Sequence, residues 1–234
     1  KQEAEQANHS KDKYLAAASH DLLQPLNAAR LLVSTLQERA LEGRNQQLVD
    51  RIHTALQGAE ELLTDLLDIS KLDANAVNAD YSEFCINSLF LMLNNEYQPI
   101  AQKNGLLFRS VPSSRVIRSD ARLLMRVLRN FIGNAIRYTA SGSVLLGCRP
   151  KGNRLQIMVC DTGTGIEPPQ LKQIFQEFKQ LDNAQPGRDK GVGLGLAILE
   201  RLARVHDHPL NAQSRPGHGS CFSICVPLSS TPKS

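Results

Sequence analysis

The chain has 234 residues, 41% of them hydrophobic and 21% charged, and its 27 Lys and Arg against 23 Asp and Glu leave a formal net charge of +4. That is enough length and apolar content for two modest domains with cores, and no apolar run approaches the ~20 residues of a membrane span, which excludes a membrane domain. The positive excess is scattered, with no basic run interleaved with aromatics, so nucleic acid is not an expected partner.

The chain starts at Lys1, without a methionine, on a polar and charged stretch that has no apolar signal core, and it reads as a piece of a longer protein. Residues from Lys1 to about Arg39 predict one long helix. Apolar or small residues recur at Leu15, Ser19, Leu22, Leu26, Ala29, Val33, Leu36 and Ala40, the four-three spacing that packs one helix against others. His20 stands one step off this seam, anchored by a packed helix yet reachable from solvent. Its neighbour Asp21 can pair with one ring nitrogen, fix the tautomer and leave the other nitrogen as a lone-pair donor. Pro25 removes a main-chain donor and crowds the Asp21 carbonyl, so a loosened turn is expected beneath the histidine. On these residues alone, a surface His-Asp pair in an ordinary amphipathic helix remains an equal reading.

Glu42-Gly43-Arg44-Asn45 breaks the helix, and a second seam runs through Leu48, Ile52, Ala55, Ala59, Leu62, Leu66 and Ile69 to about Leu72. Two long helices joined by a short turn make an antiparallel hairpin. Its apolar stripe is too long to stay wet, so a homodimeric four-helix bundle is expected.

From Asp73 to about Ser82 the composition is that of a linker. A mixed texture follows: a helix over Phe84–Lys103, a short strand over Leu106–Val111, and a helix over Asp120–Tyr138 that buries Leu123, Leu124, Val127, Leu128, Phe131, Ile132 and Ala135. Two alternating segments, Ser143–Pro150 and Leu155–Cys160, flank a turn of hairpin length. Helices at about Pro169–Phe175 and Leu194–His206, then strands near Leu210–Ser214 and Cys221–Val226, complete an α+β sandwich. The five cysteines are odd in number and mostly set within apolar alternation, which suits reduced core thiols.

Four stretches in this second region suit one nucleotide site. Asn130 and Asn134 lie one helical turn apart, and an amide oxygen is a suitable hard ligand for magnesium. Arg137 and Tyr138 add a cation for phosphate and a ring for a base. Asp161 ends a strand, where a carboxylate can accept from an exocyclic amine, while Gly163 and Gly165 let the backbone approach a flat ligand. The polar, anchor-poor stretch Lys179–Lys190 predicts a mobile lid. Gly191, Gly193 and Gly195 then lead into a helix and leave main-chain N–H groups for phosphate. Each stretch alone also reads as ordinary turn or capping structure.

In this order the stretches resemble the sensor histidine kinases: a histidine box at His20, a paired-asparagine box at Asn130 and Asn134, a first glycine box at Asp161–Gly165, a phenylalanine box at Phe175 and Phe178, and a second glycine box at Gly191–Gly195. Gly217-His218-Gly219-Ser220-Cys221-Phe222 matches the family's last glycine-containing turn and adds Ser220 to the nucleotide-binding residues. The His-Asp-x-x-Gln-Pro form at His20 is similar to that of hybrid kinases, which carry a receiver domain further along.

The resemblance implies a dimerisation and histidine-phosphotransfer hairpin over 1–73, a linker over 74–82, an ATP-binding domain of the GHKL type over 83–228 and a tail over 229–234. It implies that Asp161 holds the adenine amino group in a pocket shaped by Gly163 and Gly165, that Asn134 holds magnesium with help from Asn130, and that Tyr138 covers the base while Arg137 reaches the phosphates. The implied reaction moves the ATP γ-phosphoryl group to His20, with Asp21 as base or orienter, and then to an aspartate of a receiver. The expected location is cytoplasmic, with any membrane anchor upstream. Two positions depart from the pattern. The arginine often found two residues after the second phenylalanine is Gln180 here, which leaves Lys179, Arg188 or Lys190 to supply the charge. Gln24 stands where many relatives have Thr or Asn thought to orient water for receiver dephosphorylation, so phosphatase activity is also an expectation. A degenerate module that binds partners or acts only as a phosphatase, or a GHKL ATPase of the chaperone or mismatch-repair kind, is the alternative. The latter needs a carboxylate at the Asn130 position.

Overall fold

The computed structural model describes residues 26, 27, 29–36, 45, 46, 48, 49, 52, 53, 56, 59, 60, 63, 80–171, 173, 174 and 195–229. The chain divides into two compact units, Lys1–Val77 and Asn78–Ser234. In the first, every described residue is helical. Arg30 Nε lies 3.1 Å from Glu60 Oε2, which ties the first helical stretch to the second, and Val33 of the predicted seam is buried. Leu36, Leu48 and Ile52, also seam residues, keep between 42% and 49% of their surface exposed within the single chain, so the stripe is only partly covered. His20, Asp21, Gln24 and the break at Gly43 lie outside the described residues. No helix among the described residues is long and apolar enough to cross a membrane.

The second unit runs β1 (Ser82–Cys85), α1 (Ile86–Lys103), β2 (Leu106–Ser110), β3 (Val116–Ser119), α2 (Ala121–Tyr138), β4 (Gly142–Lys151), β5 (Arg154–Asp161), α3 (Pro168–Leu171), α4 (Gly195–Val205), β6 (Leu210–Arg215) and β7 (Gly219–Pro227). Among the described residues, β1 and β3 form an antiparallel pair, and the other strands form a sheet in the order β2-β4-β5-β7-β6. Within that sheet β2 and β4 run parallel, and every other pairing is antiparallel. Alternate residues on one face, including Phe108, Val144, Leu146, Ile157, Val159, Phe222 and Ile224, are buried, as are Leu89, Phe90 and Leu93 of α1 and the apolar stripe of α2. The rings of Phe131 and Phe222, with centroids 5.5 Å apart, join helix layer to sheet. The expected α+β sandwich is the observed architecture, and all seven residues named for the buried side of α2 are buried.

Four expectations are corrected. The predicted helix over Phe84–Lys103 begins at Ile86, because Phe84 and Cys85 belong to β1, which also takes Ser82 out of the expected linker. Strand β3, paired to β1 in the register Phe84↔Ile117, went unread. The helix expected at Pro169–Phe175 is only Pro168–Leu171, followed by a turn at Gln173 and Ile174. Finally, Cys160 and Cys221 are joined by a disulfide, not reduced, because β5 and β7 set them directly opposite one another, while Cys85, Cys148 and Cys225 remain thiols.

Candidate functional site

The helix α2 starts where Asp120 caps it: the carboxylate accepts from the N–H groups of Arg122 at 2.8 Å and Leu123 at 3.2 Å, and from that of Asp80 at 3.2 Å. Burial alone would push this carboxyl up, but the three main-chain donors prevail and hold it below its ordinary value. The cap sets the rotation of the helix, and with its apolar side against the sheet, Asn130 and Asn134 come out half-buried on the opposite edge. The Asn134 amide donates to Asn130 Oδ1 at 3.0 Å. That bond fixes both amides and turns Asn134 Oδ1 away from its partner as an acceptor. One oriented amide oxygen fits magnesium, which keeps most of its shell as water and phosphate oxygen rather than protein ligands. No group of three or more His, Cys, Asp or Glu suited to a metal occurs among the described residues.

At the far end of α2, three other segments converge. Asp161 ends β5, and its Oδ1 accepts from the Gly163 N–H at 2.8 Å and from the Ser220 N–H, at the start of β7, at 3.2 Å. Burial raises the Asp161 carboxyl above its usual range, and the Gly163 and Ser220 donors offset only part of that. A half-buried carboxylate whose donors fall short is a good receiver for a further N–H. The Tyr138 carbonyl accepts from the Thr164 N–H at 3.4 Å, which joins the end of α2 to the same loop. Tyr138 is half-buried and Arg137 is exposed.

The closeness of this packing is what its glycines serve. Gly219 has φ +100°, and a Cβ there would run into the Asp161 carbonyl; Gly165 has φ +71°, and a Cβ there would run into the Arg215 carbonyl. Gly165 thus meets the chain's own β6–β7 turn. Ser214 Oγ finishes the corner: it accepts from the Ile166 N–H at 2.8 Å, donates to the Gly219 carbonyl at 3.0 Å and lies 2.9 Å from Ser220 Oγ.

Of the residues singled out in the sequence, Asp161, Gly163, Gly165, Ser220 and the main chain of Tyr138 therefore share one corner, while Asn130 and Asn134 share one face of α2. Gly195 opens α4, which packs against α2. Lys179, Gly191 and Gly193 lie outside the described residues. Sequence reasoning missed Ser214, which a strand position gives no reason to single out, and the structural duty of Gly219, for which the turn Gly217-His218-Gly219 was the available signal.

A sheet with helices on one face and an anchored carboxylate at a strand end beside a paired-amide helix defines the GHKL class of ATP-binding domain. Residues 119–230 match the family described as histidine kinase-, DNA gyrase B- and HSP90-like ATPase, and residues 10–75 match the His Kinase A phospho-acceptor domain. The chain belongs to the sensor histidine kinases, as the core formed by these two domains. It is 33% identical to the sensor histidine kinase RcsC of Escherichia coli over 97% of this chain and 24% of RcsC. It is 32% identical to the circadian input-output histidine kinase CikA of Synechococcus elongatus over 96% of this chain and 31% of CikA. It is 28% identical to the autoinducer 2 sensor kinase/phosphatase LuxQ of Vibrio vulnificus over 97% of this chain and 28% of LuxQ. The chain thus spans about a quarter to a third of these relatives. Among solved structures, full-length ShkA in complex with AMPPNP superposes with a TM-score of 0.78 at 27% identity, over 94% of this chain and 47% of ShkA.

Proposed function

We propose that the second unit binds ATP with magnesium, that His20 takes the γ-phosphoryl group, and that the group then passes to an aspartate of a receiver domain, in the same longer chain or a separate one. The observation that carries the reading is the Asp161 corner, where a carboxylate raised by burial holds two main-chain donors and has acceptor capacity left for the adenine amino group. The AMPPNP complex of ShkA supports an adenine nucleotide as the ligand.

In this reading Asp161 selects adenine, Gly163 and Ser220 hold the carboxylate in place, and Tyr138 covers the base. Asn134 Oδ1 holds magnesium, Asn130 keeps that amide turned, and Arg137 reaches the phosphates. Magnesium, when bound, draws negative charge from the phosphate oxygens. Lys179, Arg188 or Lys190 supplies the charge of the family's usual arginine, and the main-chain N–H groups at Gly191, Gly193 and Gly195 receive phosphate. A lone pair on a ring nitrogen of His20 attacks the γ-phosphorus, the bond to the bridging oxygen breaks and ADP leaves. Asp21 holds the proton on the other ring nitrogen. The work done by the chain is positioning and charge neutralisation.

The functional domains are the helical hairpin within residues 1–73 and the nucleotide-binding domain over 82–228, with the linker between them. The partly covered stripe at Leu36, Leu48 and Ile52 supports a homodimer through the hairpin. Gln24, with an amide able to orient water, makes the same core a phosphatase toward the phosphorylated receiver, and the name of LuxQ as a kinase/phosphatase supports that addition. The test is incubation with γ-labelled ATP and magnesium. The wild-type chain is expected to gain base-stable, acid-labile label, and His20→Ala to gain none; label that persists in His20→Ala overturns the proposal.

A further inference from the structure

Cys160 and Cys221 sit opposite each other on β5 and β7, their Cα atoms 4.0 Å apart and their sulfurs joined. Each is the chain neighbour of a residue in the Asp161 corner: Cys160 precedes Asp161, and Cys221 follows Ser220. One residue beyond the bridge, the Ser220 N–H donates to Asp161 Oδ1, and Gly219 lies against the Asp161 carbonyl too closely for a side chain. The bridge therefore clamps the two strands where the carboxylate receives its second donor. Both cysteines are half-buried, whereas Cys225 is buried. Cys148 faces Ile157 rather than a thiol in the strand register.

We infer that Cys160 and Cys221 form a reversible thiol–disulfide site that sets nucleotide affinity, with the disulfide form holding Asp161 ready for adenine. This rests on the reading of Asp161 as the adenine-binding carboxylate. In the reducing direction, a thiolate of a dithiol reductant attacks one sulfur, releases the other cysteine and forms a mixed disulfide. The reductant's second thiol then closes on its own bonded sulfur and frees the remaining cysteine. Two electrons and two protons pass from reductant to protein, one S–S bond becomes two S–H bonds, and the reductant leaves as its cyclic disulfide. In the oxidising direction, glutathione disulfide is consumed and two glutathione molecules are released.

The physical lever is distance. Bonded sulfurs are about 2 Å apart, and unbonded heavy atoms settle at roughly 3.5–4 Å. On reduction the sulfurs part, β7 gains freedom against β5, and the Ser220 donor moves with β7. A carboxylate held less firmly binds its partner less tightly, through lost preorganisation.

The test uses the whole 234-residue chain. It is equilibrated with glutathione disulfide or with dithiothreitol, its state is checked by alkylation and peptide mapping, and it is titrated with a fluorescent ATP analogue. The oxidised chain is expected to bind about three- to tenfold more tightly than the reduced one. Cys160→Ser and Cys221→Ser are expected to match the reduced wild type and to ignore the oxidant. The comparison of the two wild-type states needs no variant, so it holds even if a serine variant fails to fold. Failure to recover a linked Cys160–Cys221 peptide after oxidation, equal affinity in the two states, or a redox effect that survives in Cys160→Ser overturns the inference. Asp161→Ala separates the two readings. Full binding by that variant defeats the adenine assignment, whereas lost binding by the variant together with equal affinities of the oxidised and reduced wild type defeats the redox site alone.

Discussion

Asn130 and Asn134 take their arrangement from a single helix, with one hydrogen bond of 3.0 Å between residues four apart. Asp161 takes its arrangement from several segments, and one of its donors, Ser220, lies 59 residues further along the chain. The amide face keeps its geometry as long as α2 stays packed on the sheet. The carboxylate corner depends on backbone contacts so close that Gly163, Gly165 and Gly219 have no room for a side chain. Of the two, the corner is accordingly the more easily broken by residues that touch no ligand.

The sharpest way to break that contrast is to put side chains on glycines in both places. Gly219→Val adds a branched side chain at φ +100° against the Asp161 carbonyl, and is expected to cost about 2–4 kcal/mol in chemical denaturation and to abolish binding of an ATP analogue. Gly133→Ala, in the interior of α2 between the two asparagines and with open space around its Cβ, is expected to add about 0.5–1 kcal/mol of stability. Equal destabilisation by the two would mean that the corner is no tighter than the helix.

A smaller effect is expected in binding. With Asp161 as the proposed acceptor for the adenine amine, Asp161→Ala should weaken nucleotide about 10- to 100-fold with or without magnesium. Asn134→Ala should weaken it about tenfold with magnesium present and hardly at all in chelator. Isothermal titration under both conditions distinguishes the roles, and an Asn134→Ala loss that ignores magnesium would remove that residue from the metal site.

The smallest effects are in the pH dependence of stability. Burial raises the Asp161 carboxyl, so its contribution is fully present below the ordinary carboxylate value of about 3.9 and is lost as pH rises through the raised value; Asp161→Asn should flatten that limb. The opposite sign is expected at the other end of the unit. His206 and His208 are buried; His206 Nδ1 lies 3.1 Å from Tyr81 Oη, and His208 Nε2 lies 2.8 Å from Ser119 Oγ. Burial lowers both imidazoles, so their contribution is present above about 6.5 and lost as pH falls below it. Urea midpoints between pH 4 and 8 should therefore fall on the acid side of neutrality, less steeply in His208→Gln, and an unchanged slope in that variant would exclude His208 as a source.

The contrast between helix and corner also marks what was legible. The start of α2 was readable because Asp120 is a capping residue whose carboxylate bonds the first turn, and its buried side was readable from the helical period. The start of α1 was not, because the Cys85 side chain at its N-cap makes no bond to the first turn of the helix and Phe84 carries the apolar pattern straight from strand into helix. Strands β1 and β3 have four residues each, too short for alternation to declare itself, and each exists through the other across the whole length of α1. The cysteines were misread for a related cause: apolar alternation describes a strand's two faces and says nothing of which residue on another strand stands opposite.

By itself, then, the amino-acid order determined the periodic helices, the turn-bounded strands and the residue types suited to adenine, phosphate and metal, because those depend on neighbours within a few positions. Only the tertiary structure decided that β7 returns beside β5 in the register Cys160↔Cys221. That register delivers the Ser220 donor to Asp161, brings Gly219 against its carbonyl and links the two sulfurs. Strand register is set by burying a whole sheet face at once, a balance over many distant residues that no local stretch contains.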